Sequence, residues 1–294
     1  MDFDDDKIIQ INGDTELFGV IGYPVRNSLS PIIQNLAFRS TGMNSVYLAF
    51  EVEPKKLTTA ISGFVAIGVI GLNVTMPYKV VCIKYMDFLD EYSVKTGAVN
   101  TIHFKEGKLY GYNTDGAGFI SSLNRNGIDP KGMSALILGA GGAARAVAIA
   151  LARSGAREII IANRTRKNSE KLKYLINENF RDIGVIAAIN YEDYYKYAQR
   201  ADIIVNCTSI GMNSSDIPID SVVLESSHIV FDLVYYPLET SLLRAARQKG
   251  ARAISGVEML VFQGAESFRI WTGIEPPYEK MLEAANRNIK GDIY

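Results

Sequence analysis

Cysteine and histidine are scarce in this chain of 294 residues, each occurring only twice. Cys82 and Cys207 lie far apart and show no metal-ligand spacing, which excludes a disulfide framework and makes a reducing compartment the natural setting. His103 and His228 are too isolated for a zinc site and read as structural residues. An excess of one charge is missing too: 31 Lys and Arg stand against 32 Asp and Glu. Nothing in that balance advertises a nucleic-acid or membrane surface. The most apolar stretch, Val65 to Val74, is too short to cross a bilayer and is interrupted by Gly68 and Gly71. The first seven residues, Met-Asp-Phe-Asp-Asp-Asp-Lys, are acidic and lack the apolar core of a signal peptide, so they read as a frayed tail. These absences together predict a cytoplasmic protein; either a monomer or a homodimer is compatible with the sequence.

What is present is 48% hydrophobic residues, enough for sizeable cores, over a length that suggests about two domains. Strands are predicted at Leu17 to Ile21, Val46 to Val52 and Val69 to Val74. Helices are predicted at Pro31 to Arg39, with Ser30 as the cap, and at Pro54 to Ile67. This β-α-β-α-β alternation predicts a mainly parallel sheet with helices on its faces. Lys79 to Leu89 reads as a further helix. Val99 to Phe104 and Lys108 to Tyr112 read as a hairpin closed by Glu106-Gly107.

A second series starts near Asp115. Helices are expected at Gly116 to Arg125, Ala143 to Ser154 and Thr240 to Lys249. Strands are expected at Ser134 to Leu138, Glu158 to Ala162, Val185 to Ala188, Asp202 to Val205, His228 to Leu233 and Ala251 to Ile254. A tail helix, Gly256 to Thr272, is free to return to the first sheet. The fold class is therefore two-domain α/β. Residues 1–114, completed by 256–294, form an N-terminal domain, and 115–255 a Rossmann-like domain.

The strand ending at Leu138 runs into Gly139-Ala140-Gly141-Gly142-Ala143-Ala144-Arg145. Gly139, Gly141 and Ala144 fit G-x-G-x-x-A: a tight turn, a close approach for phosphate, and close packing of helix on strand. The helix start then offers free N–H groups to a pyrophosphate. At the end of the next strand, NAD sites carry a carboxylate for the ribose 2′-hydroxyl. This chain has Asn163-Arg164-Thr165-Arg166-Lys167 instead, and an arginine there pairs with a 2′-phosphate. The pattern predicts NADP.

The first domain carries polar clusters at its segment ends. Ser28-Leu29-Ser30-Pro31 puts two hydroxyls at a helix start, suited to an anion or to capping. Gly71 to Lys79 reads Gly-Leu-Asn-Val-Thr-Met-Pro-Tyr-Lys, and strand alternation puts Asn73 and Thr75 on one face with Lys79 just beyond. Asn100 and Asp115 follow in Gly-Ala-Val-Asn-Thr and Gly-Tyr-Asn-Thr-Asp-Gly, where Asp115 could also serve as a helix cap.

Taken in order, these motifs resemble the shikimate dehydrogenase family. The resemblance continues through Asn206 to Met212, Asp232 to Thr240 and Gly256 to Ala265, and covers about Leu17 to Trp271. It implies reversible NADPH-dependent reduction of 3-dehydroshikimate to shikimate, on the route to chorismate and the aromatic amino acids. It also implies site roles. Ser28 and Ser30 hold the substrate carboxylate. Asn73, Thr75, Asn100 and Gln263 bond the ring hydroxyls, and Tyr235 helps close the pocket. Lys79 and Asp115 are the catalytic pair. Gly139, Ala140, Gly141, Gly142, Ala143, Asn163, Arg164, Thr165 and Arg166 bind the dinucleotide. Thr208, Met212, Leu233, Gly256 and Met259 wall its nicotinamide half, although Leu233 and Met259 would equally suit plain core packing. Closure of the two domains over the ligands is expected.

The chain departs from the family pattern at Gln34, where many relatives have histidine, and at Asn168, where a basic residue is common. The nearest rival reading is a quinate/shikimate dehydrogenase using NAD or NADP, against which the Arg164 loop argues. A non-catalytic NADPH-binding regulator would show erosion at Lys79 or Asp115. A generic hydroxy-acid dehydrogenase would show a histidine–carboxylate pair.

Overall fold

The computed structural model describes residues 11–180, 183–190 and 194–290. The acidic start of the chain, read above as a frayed tail, lies outside them. The chain divides into two units, one running up to Thr114 and resuming at Gln263–Asn288, the other covering Asp115–Phe262.

The first unit opens with β1 (Glu16–Gly22), α1 (Ser30–Thr41), β2 (Ser45–Glu51), α2 (Leu57–Ala66) and β3 (Gly71–Val74). β2 and β3 both pair with β1 in parallel, as the alternation of strands and helices requires. α1 stops where it should: Gly42 adopts φ 72°, and its N–H and that of Met43 return to the last-turn carbonyls. Its start differs from expectation. Leu29, not Ser30, is the capping residue, and Ser30 is already helical. The hydroxyl of Ser28 does the work instead, accepting from the Ser30 N–H at 3.2 Å.

The expected helix over Lys79 to Leu89 does not form. Val81–Tyr85 makes a short 3-10 turn, Met86 is extended, and Phe88–Leu89 forms a two-residue strand, β4. The β-branched residues Val80, Val81 and Ile83 are poor helix formers. Asp87 draws the chain into the sheet by accepting from the Leu109 N–H at 2.9 Å. A helix not foreseen, α3 (Glu91–Thr96), follows. Asp90 caps it by accepting from Ser93 N–H at 2.9 Å, and Gly97 ends it in the left-handed region. β5 (Thr101–Lys105) and β6 (Lys108–Tyr112) form the hairpin, and Glu106 and Gly107 both take positive φ, as a type I′ turn demands. The sheet order is β2-β1-β3-β5-β6-β4, and among the described residues its antiparallel pairs are β3–β5 and β5–β6.

The second unit contains α4 (Asp115–Arg125), β7 (Ser134–Leu138), α5 (Gly142–Arg153), β8 (Glu158–Asn163), α6 (Arg166–Asn179), β9 (Gly184–Asn190), the single turn α7 (Tyr195–Ala198), β10 (Ile203–Asn206), β11 (Ile229–Asp232), α8 (Ser241–Gln248) and β12 (Arg252–Ser255). All its strand pairs are parallel, in the order β12-β11-β10-β7-β8-β9. β7 and β10 are buried along their whole length, as strands covered on both faces must be. His228, just before β11, is buried, and its Nδ1 accepts from Glu225 N–H at 3.0 Å; burial lowers its pKa, so it serves the turn as a neutral ring.

α9 (Val257–Thr272) begins in the second unit, and from Gln263 onward its residues belong to the first. In the first unit its last turns pack into the aromatic core. The Phe268 and Phe38 rings lie 5.5 Å apart, and the Trp271 ring lies 5.4 Å from Phe18. The Trp271 Nε1–H donates to the Ile102 carbonyl at 3.0 Å. Gly71 makes room for this ring, since a Cβ there would come within 2.5 Å of it. A final helix, α10 (Tyr278–Lys290), was not foreseen in the sequence.

Candidate active site

In the first unit four of the predicted substrate residues, Ser30, Asn73, Asn100 and Gln263, converge on one buried polar network. Asn73, on β3, donates from Nδ2 to the Ser267 hydroxyl at 2.9 Å, the Asn100 carbonyl at 3.2 Å and the Thr101 hydroxyl at 3.3 Å. Its Oδ1 accepts from the Tyr47 hydroxyl at 2.6 Å. Asn100 accepts at Oδ1 from Thr114 N–H at 2.8 Å and from the Thr101 hydroxyl at 2.9 Å. Its Nδ2 donates to Gln263 Oε1 at 3.1 Å and to the Thr114 hydroxyl at 2.8 Å. Ser267, one turn after Gln263 on α9, donates back to the Gln263 carbonyl at 2.9 Å. Every side chain named here is buried, so each polar atom must find a partner or lose its hydration uncompensated.

Tyr47, Thr101, Thr114 and Ser267 were missed in the sequence. Tyr47 joins the two ends of the network: its hydroxyl also bonds the Ser30 side chain. Burial raises its pKa well above the usual tyrosine value, and the Ser30 bond offsets only part of that, so it stays a neutral donor. It lies inside β2, where a tyrosine serves sheet packing equally well.

The other first-unit candidates sit at strand and helix ends. Thr75 follows β3, and its methyl group would collide at 2.5 Å with a Cβ on Gly22, so that glycine is what lets Thr75 lie over the end of β1. Lys79 is half-buried, and its carbonyl accepts from Val99 N–H at 2.8 Å. Gln34 is fully buried on α1, and its Nε2 donates to the Gly264 carbonyl at 2.8 Å. The residue that departs from the family pattern therefore ties α1 to the turn next to Gln263.

In the second unit the glycine turn links β7 to α5 as predicted. Gly139 takes φ 110°, closed to L side chains, and a Cβ there would meet the Cys207 carbonyl at 3.2 Å. Gly141 caps α5 in extended conformation without a side chain to occupy the N–H groups of the first turn. A Cβ on Gly141 would meet no atom within 4 Å, so the side from which a phosphate would approach is open. The strand order reverses direction between β10 and β7, the switch point where open α/β sheets bind ligands at the carboxyl edge. Ala140 and Ala143 complete the small-residue rim. At the end of β8, Asn163 Nδ2 donates to the Thr165 carbonyl at 2.9 Å and shapes the turn that exposes Arg164, Thr165 and Arg166. Arg166 pairs with Glu170 at 3.4 Å, whereas Arg164 stands in the exposed turn before α6. These residues fit a 2′-phosphorylated dinucleotide: an open glycine turn, a helix start and an exposed guanidinium beyond the second strand.

The walls are more internally bonded than the sequence suggests. The Thr208 hydroxyl donates to Asn206 Oδ1 at 2.7 Å and accepts from Ile210 N–H at 3.1 Å, so it organises its own turn. Met212 is 42% exposed, while Met259 is buried in α9. Gly256 lies against the end of β11, where a Cβ would sit 2.5 Å from the Leu233 carbonyl. Leu233 and Tyr235 are half-buried in the turn after β11, and burial raises the Tyr235 pKa. Asp115 is buried and is the first residue of α4 rather than a cap outside it. Burial, then the carboxylates of Asp232 and Asp115, push the Cys207 thiol up, which makes it a poor nucleophile.

Three family models match the chain: the shikimate dehydrogenase substrate binding domain over residues 20–102, shikimate / quinate 5-dehydrogenase over 123–216, and the shikimate 5′-dehydrogenase C-terminal domain over 256–285. The shikimate dehydrogenase (NADP(+)) of Thermococcus kodakarensis is 45% identical over 95% of this chain and 98% of its own. That of Methanopyrus kandleri is 43% identical over 96% and 99%. A crystal structure of a shikimate dehydrogenase in complex with NADP+ superposes with a TM-score of 0.88 at 41% identity, covering 95% of this chain and 98% of the other.

Proposed function

The chain belongs to the shikimate dehydrogenase family, and from that premise we propose that it reduces 3-dehydroshikimate to shikimate, reversibly and with NADPH, on the route to chorismate and the aromatic amino acids. The observation that carries this reading is the buried network joining Ser30, Asn73, Asn100 and Gln263, four residues that the family resemblance assigns to the substrate. A generic fold would have little reason to bury so many amides and hydroxyls together.

The unit ending at Thr114 and resuming at Gln263 is the substrate domain in this reading, and Asp115–Phe262 the NADP domain. Ser28 and Ser30, at the start of α1, take the substrate carboxylate, where the helix end favours an anion. Asn73, Thr75, Asn100 and Gln263 present amide and hydroxyl groups to the ring hydroxyls, and Tyr235 covers them. Bound NADPH supplies the hydride. Lys79 stabilises the negative charge that grows on the carbonyl oxygen and delivers a proton to it. Asp115 is the second member of the catalytic pair in this reading and acts on a substrate hydroxyl. Gly139 to Ala143 receive the pyrophosphate, Asn163 to Arg166 the 2′-phosphate, and Thr208, Met212, Leu233, Gly256 and Met259 line the nicotinamide side. The two cysteines are free thiols, which supports a reducing, cytoplasmic setting.

The test is NADP reduction followed by absorbance, with shikimate and quinate side by side and NAD in parallel. Turnover with shikimate and NADP is expected to exceed that with quinate or NAD. Absence of shikimate oxidation by the folded protein overturns the reading.

A further inference from the structure

We propose that Asp232, acting through Asn206, is the positioning residue that sets the two turns on the nicotinamide side of the cofactor site. The inference rests on the NADP reading above and adds two residues to which that reading gives no role.

Asp232 ends β11 and is fully buried. It receives three hydrogen bonds, each from a different segment. Asn206 Nδ2, at the end of β10, donates at 2.8 Å. Val234 N–H, in its own turn, donates at 3.0 Å. The Thr240 hydroxyl donates at 2.6 Å while accepting from Leu243 N–H at 3.2 Å, so the same contact caps α8. All three donors are neutral. A buried carboxylate held only by neutral donors is costly, and an apolar residue would cost the fold less. What the carboxylate supplies is three acceptor directions from one point, fixing β10, the turn after β11 and the start of α8 together.

Asn206 extends this hold to the turn carrying Thr208 and Met212. Its Oδ1 accepts from Thr208 N–H at 3.0 Å and from the Thr208 hydroxyl at 2.7 Å, and its Nδ2 also reaches the Ile210 carbonyl at 3.1 Å. The Asn206 backbone carbonyl accepts from Leu233 N–H at 3.0 Å. Both turns are seated against glycines with no slack. Cys207 lies against Gly139, and the backbone of Asp232 and Leu233 lies against Gly256. A change at the Asp232–Asn206 contact therefore shifts Thr208 and Leu233 together and leaves the Arg164 turn, at the end of β8, where it is.

That asymmetry gives the experiment. Asp232→Asn and Asn206→Asp are compared with the unaltered chain. NADPH binding is followed by its fluorescence, and adenosine 2′,5′-bisphosphate binding, which engages only the adenosine half, by calorimetry. Each single change is expected to weaken NADPH about tenfold, equivalent to about 1.4 kcal/mol, with little change for the bisphosphate. Equal weakening of both ligands, or no weakening of either, overturns the proposal. If the unaltered chain binds neither ligand, the NADP reading fails first.

Discussion

Replacing Tyr47 by Phe removes one oxygen and leaves the ring packed as before, 6.2 Å from Trp271. The lost oxygen is the only link from Ser30 to Asn73 in the hydrogen bonds described above. It strands Asn73 Oδ1, left without its 2.6 Å donor, and the Ser30 hydroxyl, in residues only 5% and 6% exposed. An unsatisfied buried polar group costs about 1–3 kcal/mol, so the two together should cost about 2–4 kcal/mol once water and rotamer relaxation recover a part. For a unit of this size that lowers its melting midpoint by roughly 5–10 °C. Both stranded residues belong to the proposed substrate set, so the KM for shikimate should rise about tenfold while the KM for NADP stays within about twofold. Differential scanning fluorimetry and steady-state kinetics on the same preparation read both effects. A variant whose melting midpoint and shikimate KM both match the parent refutes the argument that this hydroxyl holds the site together.

Lys79→Ala should lower kcat at least about a hundredfold with the fold intact by circular dichroism, and near-normal turnover removes Lys79 from the mechanism. Arg164→Ala should raise the KM for NADP by about tenfold or more while leaving that for NAD nearly unchanged, because a charge-assisted bond to the 2′-phosphate is lost; equal effects on both cofactors argue against that contact. Burial pushes the Cys82 thiol up from 9.0 to about 12. Between those values the unfolded chain releases a proton that the folded chain keeps, so this group's contribution is complete below pH 9 and falls as pH rises toward 12. Cys82→Ala should therefore flatten the alkaline decline of unfolding free energy by about 1.4 kcal/mol per pH unit across that window, measured by urea titration. An unchanged slope excludes Cys82 as its source.

Elements whose cause is local were legible in the sequence. Glu106-Gly107 needs only two positive φ angles, and Gly139-Ala140-Gly141 only a strand before it and small residues after it; both turns are where the pattern puts them. Residues whose role is set by distant partners were not. Tyr47 and Ser267 sit in an apolar strand and an apolar helix; Asn73 on β3 and Ser30 on α1 give the first hydroxyl its purpose, and the arrival of α9 beside β3 gives the second its own. Ser30 was read as a cap because serine before proline usually is one, but the helix starts one residue earlier and Ser28 takes the capping bond. The apolar run after Lys79 fits a helical period as well as it fits a strand edge. The Asp87–Leu109 contact, 22 positions apart in sequence, decides between them. Gln34, noted only as a departure from the family, is a bridge to Gly264 for the same reason.

The ring of Trp271 filling the space over Gly71 has a consequence for how the chain comes to be folded. Gly71, the Ile102 carbonyl and Asn73 are made early, while Trp271 and Ser267 leave the ribosome only after Asp115–Phe262 has been synthesised. Chains emerge at about 5–20 residues per second, so for roughly ten seconds or more the first sheet must wait with an unfilled groove and unmet polar groups. A chain cut after Phe262 would hold it in that waiting state, with every residue of the first sheet present and its core still open.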